Sequence, residues 1–194
     1  MTQWIGWLQR LEAGPCAMVS VLATEGSAPR GGGTRMLVTA RDQQGTIGGG
    51  QLEYRAVEQA RAILDRPVGT WRVQDYPLGP LLGQCCGGRV RLLIEHLDPA
   101  GLDWLHEAEP GRMLETCFED GAVRRRIHDR ETATRQSARG DKPVAGARII
   151  EPVGERPRPV YLFGAGHVGQ AIARHATGLP LQLAWFDIRP ELAD

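Results

Sequence analysis

Apolar and polar positions along the chain change their period several times, and each change marks an element. Near the N-terminus Trp4, Trp7, Leu8 and Leu11 recur at helical spacing, which predicts a helix over 1–11. Residues 16–24 (CAMVSVLAT) are small or β-branched and predict a buried strand, with a second strand over 35–39. A glycine-bearing loop, 25–34, joins them, and a turn is expected over 41–45. From 51 to 64 the positions Leu52, Val57, Ala60, Ile63 and Leu64 line one side of a helix that Asp65-Arg66-Pro67 ends. Residues 70–76 and 89–97 read as strands, and Asp98-Pro99 opens a short helix carrying Leu102, Trp104 and Leu105. A hairpin follows, with strands over 112–118 and 122–128 about the turn Glu119-Asp120-Gly121. Segment 129–142 is polar and aperiodic, which predicts a mobile surface loop, and 148–151 is a closing strand.

The run 152–159 holds three prolines among charged residues and predicts a stiff linker between two domains, 1–151 and 160–194. Past the linker the pattern becomes strand (160–163), tight turn (164–169), helix (170–177) and strand (181–186), ending on Asp187. The fold class is therefore α/β: an N-terminal mixed α+β sheet domain, then the first β-α-β unit of a Rossmann-like domain cut short. The chain ends seven residues after Asp187, whereas a doubly wound sheet needs several such units. The expectation is a piece of a longer protein, with completion of the sheet by a second subunit as the alternative.

Charge narrows the partners. Lys+Arg and Asp+Glu number 23 each, so nothing electrostatic points to nucleic acid or an anionic membrane. Near-zero net charge gives little colloidal protection and suits a protein that works in a complex. No apolar run is long enough to span a bilayer, and the N-terminus lacks the pattern of a secretory signal. The four cysteines form no secreted disulfide framework; Cys16 and Cys117 lie in apolar strands as small buried hydrophobes. A reducing cytoplasm is the expected compartment.

Chemistry concentrates in the glycine clusters. Gly83-Gln84-Cys85-Cys86-Gly87-Gly88 sets two adjacent thiols between glycines, where a ligand can approach both sulfurs. Structural zinc needs spaced cysteines with further partners, which are missing. A catalytic thiol would need one of five histidines, none tied to the loop by a motif. Soft-metal ligation or sulfur transfer fits the thiols best, with an inert glycine–cysteine turn still open. Two more glycine turns, 26–33 and 48–50, are candidate anion loops, the second leading into a helix N-terminus. Arg30 and Arg35 flank the first and could clamp a phosphate, or these could be tight strand connections with solvated arginines. Glu53, in the first helical turn, reads as a cap. Gly164, Gly166 and Gly169 carry the spacing of a dinucleotide fingerprint, and Asp187 falls where an acid takes ribose hydroxyls. Arg189 leaves a phosphorylated ribose open, and so does a Rossmann-like unit that binds no nucleotide.

Taken together, Gly26-Ser27-Ala28-Pro29-Arg30, Thr46-Ile47-Gly48-Gly49-Gly50, the cysteine loop and Gly164-Ala165-Gly166-His167-Val168-Gly169 resemble the XdhC/CoxI family. These are accessory proteins for maturation of xanthine dehydrogenase and related molybdenum hydroxylases. The resemblance implies a non-catalytic chaperone that binds molybdenum cofactor, assists its sulfuration with a cysteine desulfurase, and delivers it to the apo-dehydrogenase. It implies Cys85 and Cys86, with Gln84 and Gly87, at the metal or its terminal sulfur. It also implies Arg30, Gly31, Gly32, Gly48 and Gly49 near the pterin phosphate. A homodimer is expected. The rival reading is an NAD(P)- or FAD-dependent oxidoreductase with a redox-active cysteine.

Overall fold

Strand β1 (Ala17–Glu25) alternates its side chains between two buried layers, and the N-terminal unit is built around that alternation. In the computed structural model, described over residues 3–9, 14–79, 83, 87–129, 132–154, 158–177, 179 and 181–189, β1 is the middle of a five-stranded sheet. The strands are β2 (Arg35–Val38), β3 (Gln43–Gly45), β4 (Trp71–Pro77) and β5 (Arg89–His96), in the order β3-β2-β1-β5-β4, every pair antiparallel. The class is mixed α/β, as the sequence predicts. A strand at 43–45 replaces the expected turn, because Asp42 and Thr39 close a tighter one and return the chain along β2.

Ala17, Val19 and Val21 face helix α2 (Gly50–Ile63), whose Leu52, Ala56, Val57, Ala60 and Ile63 complete that core with Val90, Leu92 and Ile94 of β5. Met18 and Leu37 face the opposite way, toward Trp4, Ile5 and Leu8 of helix α1 (Gln3–Gln9). The same layer receives Trp104 and Leu105 from two short 3₁₀ turns, Pro99–Gly101 and Asp103–Glu107. It also receives Leu114 from a second sheet of β6 (Met113–Glu119), β7 (Ala122–His128) and β8 (Arg148–Pro152), ordered β7-β6-β8.

Charge crosses between the layers. Arg35 pairs with Glu151 of β8, and Arg125 of β7 pairs with Glu95 of β5, with Arg35, Glu95 and Arg125 buried. Arg91, only 2% exposed, donates from Nε and Nη2 to Asp75 at 2.7 and 3.1 Å. Its Nη1 and Nη2 also donate to the carbonyls of Asp141 and Gly140, both at 2.7 Å. The segment expected to be a mobile loop is therefore held down. Ala138 is fully buried, Ser137 Oγ and Arg139 Nε bind the Glu25 carboxylate, and Thr134 N–H donates to Ile150 O. Periodicity could not show this, since the anchors are single polar atoms answering a buried guanidinium.

The chain divides into two compact units, 2–154 and 155–194. In the second, β9 (Arg158–Phe163) and β10 (Leu181–Phe186) pair in parallel, joined by helix α3 (His167–Ala176). Helix α3 starts three residues earlier than the expected 170, with Gly166 as its N-cap. Tyr161, Phe163 and Phe186 share one exposed side of this pair, the last two rings stacked at 5.3 Å.

Replacing Arg91 with Met should strand Asp75 and free residues 140 and 141. Urea unfolding should show a loss of about 3 kcal/mol, and trypsin should cut at Arg139 faster than in the parent. Unchanged cleavage would mean the segment is held by something else.

Candidate functional site

Antiparallel pairing sends the chain turns that matter to one end of the five-stranded sheet. The β1–β5 register closes at Glu25↔Arg89, and the β4–β5 register closes at Pro77↔Arg89. The β2–β3 register closes at Met36↔Gly45 beside the start of β2, which itself pairs with Ser20 of β1. The loops after β1, after β3 and between β4 and β5 are thereby neighbours.

Their contacts are made by backbone. Gly88 N–H donates to Ser27 O at 3.0 Å, and Leu78 N–H donates to Gly88 O at 2.9 Å. A Cβ on Gly88 would lie 2.2 Å from Ser27 O and 2.5 Å from Glu25 O, so only glycine fits. Gly48, at φ +122°, abuts Pro29, where a Cβ would come within 2.4 Å of the proline ring. A Cβ on Gly79 would sit 3.9 Å from the Gly87 Cα, so the arms of the cysteine segment stand close together beside the 26–30 turn. Gln84, Cys85 and Cys86 lie outside the described residues; Gly83 and Gly87 are described and exposed.

Thus the 26–30 turn, the 46–50 turn and the arms of the cysteine segment are brought together, and Arg30, Gly31 and Gly32 are exposed there. Arg35 is buried, unlike Arg30, and only its Nε–H is left without a partner among the described residues. Its Nη1 donates to Gly33 O at 3.1 Å, its Nη2 pairs with Glu151, and its guanidinium lies 4.3 Å over the Trp4 ring. Among the described residues no ion pair engages Arg30.

Glu53 does more than meet the dipole of α2. Its carboxylate accepts from Ile47 N–H at 2.9 Å, Gly49 N–H at 3.1 Å, Gln43 Nε2 at 3.2 Å and the Thr46 hydroxyl. Gly48 N–H is met by Thr46 Oγ1 at 3.0 Å. The anion loop inferred at Gly48 and Gly49 thus already holds an internal anion, and an incoming phosphate would compete with it. Burial alone would raise the Glu53 pKa; the hydrogen bonds from Thr46, Gly49, Ile47 and Gln43 outweigh that and hold it below the ordinary value.

The other two cysteines take no part. Cys16 is buried, and burial pushes its thiol up to about 11. Cys117 is half-buried rather than fully buried, and its thiol donates to the Glu115 carboxylate. Its burial and the Glu115 carboxylate at 3.0 Å push that thiol up to about 11 as well. A raised pKa disfavours the thiolate form that a nucleophile needs.

In the second unit Gly164 turns at φ +102°, and a Cβ on Gly169 would lie 2.0 Å from Gly164 O, so α3 packs directly on the turn. Asp187 does not wait free for a ribose. Its carboxylate is paired with Arg189 through Nε and Nη2, both at 2.9 Å, and accepts from Ala165 N–H. Arg189 first, then the Ala165 amide, hold its pKa far below the usual carboxylate range.

Compared with known proteins, residues 10–76 match the model of the XdhC and CoxI family. That stretch contains the 26–30 and 46–50 turns and stops before the cysteine segment. A solved structure from Bacillus halodurans, described as a xanthine dehydrogenase, has a similar fold, with a TM-score of 0.65 at 19% identity. The match covers 98% of this chain and 64% of that one, so this chain spans less than two thirds of that protein's length. No curated protein matches the chain.

Because the Glu53 pKa is lowered by folding, its stabilising effect is complete above the unfolded value of about 4.3. The effect is lost as pH falls through the lower folded value. Glu53→Gln should therefore cost about 1 kcal/mol at pH 7, and the two melting curves should converge below pH 4. A gap that persists undiminished at pH 3 would refute the linkage.

Proposed function

Because residues 10–76 match the model of the XdhC and CoxI family, we propose that this chain is an accessory protein of a xanthine dehydrogenase-type enzyme and holds molybdenum cofactor for it. The cofactor is cargo: a soft metal held by a dithiolene on a pterin that carries a phosphate. The observation that carries the reading is the single cluster formed by the arms of the cysteine segment and the two glycine turns, through Gly88 with Ser27 and Gly48 with Pro29. Thiols suit the metal end of such a cargo, and exposed glycine backbone with a free guanidinium suits the phosphate end.

In this reading Cys85 and Cys86 hold the metal or its terminal sulfur, flanked by Gln84 and Gly87. Arg30 carries the phosphate with Gly31 and Gly32. Gly48 and Gly49 shape the floor, with their amides engaged by Thr46 and Glu53. The protein shields the cargo from water, presents it to a cysteine desulfurase for sulfuration, and passes it to the apo-dehydrogenase, acting as a homodimer. A nucleotide, NAD(P) or another, at the Gly164, Gly166 and Gly169 turn belongs to the same proposal; its ribose would displace Arg189 from Asp187. None of the helices described is long and apolar enough to cross a membrane.

The test is the molybdenum and pterin content of protein purified from a molybdenum-replete host. The parent should retain cofactor, and Cys85→Ala and Cys86→Ala should each retain at least about tenfold less, since a lost ligand to a soft metal removes more than 1.4 kcal/mol. Both variants should melt with the parent. Cofactor retained equally by both variants would remove the ligation role. Turnover of NAD(P)H by pterin-free protein would favour the oxidoreductase.

A further inference from the structure

Beside the glycine turns lies a cleft of about 270 Å³, walled by Trp4, Trp7, Arg30, Thr34, Arg35 and Thr46, with Gly45 among its lining residues. Gly45 stands at φ +85°, and a Cβ there would lie 2.5 Å from the Trp7 ring, so the indole rests directly on backbone. Trp4 is a fixed wall, with the Arg35 guanidinium 4.3 Å over its ring and Trp104 5.8 Å away. Trp7 is only partly buried.

The polar groups of this cleft favour an anion. Arg35 is 6% exposed and uses both terminal nitrogens, yet its Nε–H has no partner among the described residues. A buried guanidinium N–H left unpaired is costly, and a bound acceptor would relieve it. Arg30 is exposed, and the β position of Gly48 lies 3.5 Å from its Cγ, which sets the start of its side chain at the rim. Thr34 adds a hydroxyl, while that of Thr46 is donated to Glu53. The acids near these groups are already engaged, Glu151 by Arg35 and Glu53 by Thr46, Ile47 and Gly49.

We infer that this cleft binds a flat heteroaromatic ring bearing a phosphate, the ring against Trp7 and the phosphate between Arg30 and the Arg35 Nε–H. An indole stacks on such rings through its π-face, and guanidinium matches a phosphate in plane and charge. The inference rests on the cofactor reading for its link to the thiols. Ser27, which holds Gly88, and Arg30 are three residues apart, so the cleft begins within about 10 Å of the cysteine arms. Two sources share this chemistry, a pterin phosphate and a purine mononucleotide.

Full-length protein titrated with metal-free pterin monophosphate, with guanosine monophosphate and with inorganic phosphate separates them, read by quenching of indole fluorescence. Pterin monophosphate should bind saturably; Arg30→Gln, an exposed change that leaves the fold intact, should weaken it about tenfold. Trp7→Leu should remove most of the quench. Tighter binding of guanosine monophosphate, still dependent on Arg30 and Trp7, would keep the site and assign it to a nucleotide. Affinity equal to that of inorganic phosphate, or indifferent to both substitutions, would overturn it. If the cysteine variants kept metal-loaded cofactor while the Arg30 effect stood, the ligation reading would fail and the cleft would not.

Discussion

The antiparallel pairing of β1 with β5 is the constraint on which the N-terminal unit depends. It runs from Ala17↔His96 to Glu25↔Arg89, with one irregularity between Val21 and Ala23, and the last pair delivers Ser27 beside Gly88. At that point two backbones meet with no room for a side chain, so the contact is made by glycine or not at all. The same antiparallel logic in β2–β3 and β4–β5 places the other turns nearby. Three glycine clusters far apart in sequence become one surface because strand register leaves them no other exit.

The opposite side of the sheet is held differently. Between the two sheets, Arg35 and Arg125 cross a mostly apolar layer, each meeting a carboxylate, while Arg91 meets Asp75 on the neighbouring strand of its own sheet. Buried ion pairs contribute modest net stability, since desolvation offsets much of their attraction, but an arginine left without its acid is strongly unfavourable. Such pairs discriminate against sliding one layer over the other. Arg91 extends the principle to irregular chain: two carbonyls at 140 and 141 complete its donors, and a polar segment is ordered without a hydrophobic stripe.

Two of the three candidate anion turns are occupied by an acid of their own chain. Glu53 sits in the 46–50 turn, and Asp187 holds the Ala165 amide while Arg189 holds Asp187. An internal carboxylate keeps exposed amides satisfied until a ligand of higher charge competes for them. A ligand at either turn would have to exchange partners rather than fill bare backbone.

Much of the secondary structure was determined locally. Helix α2 follows from Leu52, Val57, Ala60 and Ile63, and β10 from 181–186, because side-chain period and breakers such as Pro67 act within a few residues. The clustering of glycine around the cysteines, and the likeness to the family whose model 10–76 matches, were also legible, since both are carried by residue identity and spacing. What sequence left open was whatever depends on a distant partner. Arg30 and Arg35 look alike in the chain, yet one stands in solvent and the other is buried against Glu151, more than a hundred residues away. Glu53 could be read as a helix cap, but not as the acid that fills its own loop. The pinned 132–142 segment and the half-buried Cys117 were decided in the same way. Period and composition report a residue's own preference; only the packed sheet pair decides whose charge, or whose backbone, answers it.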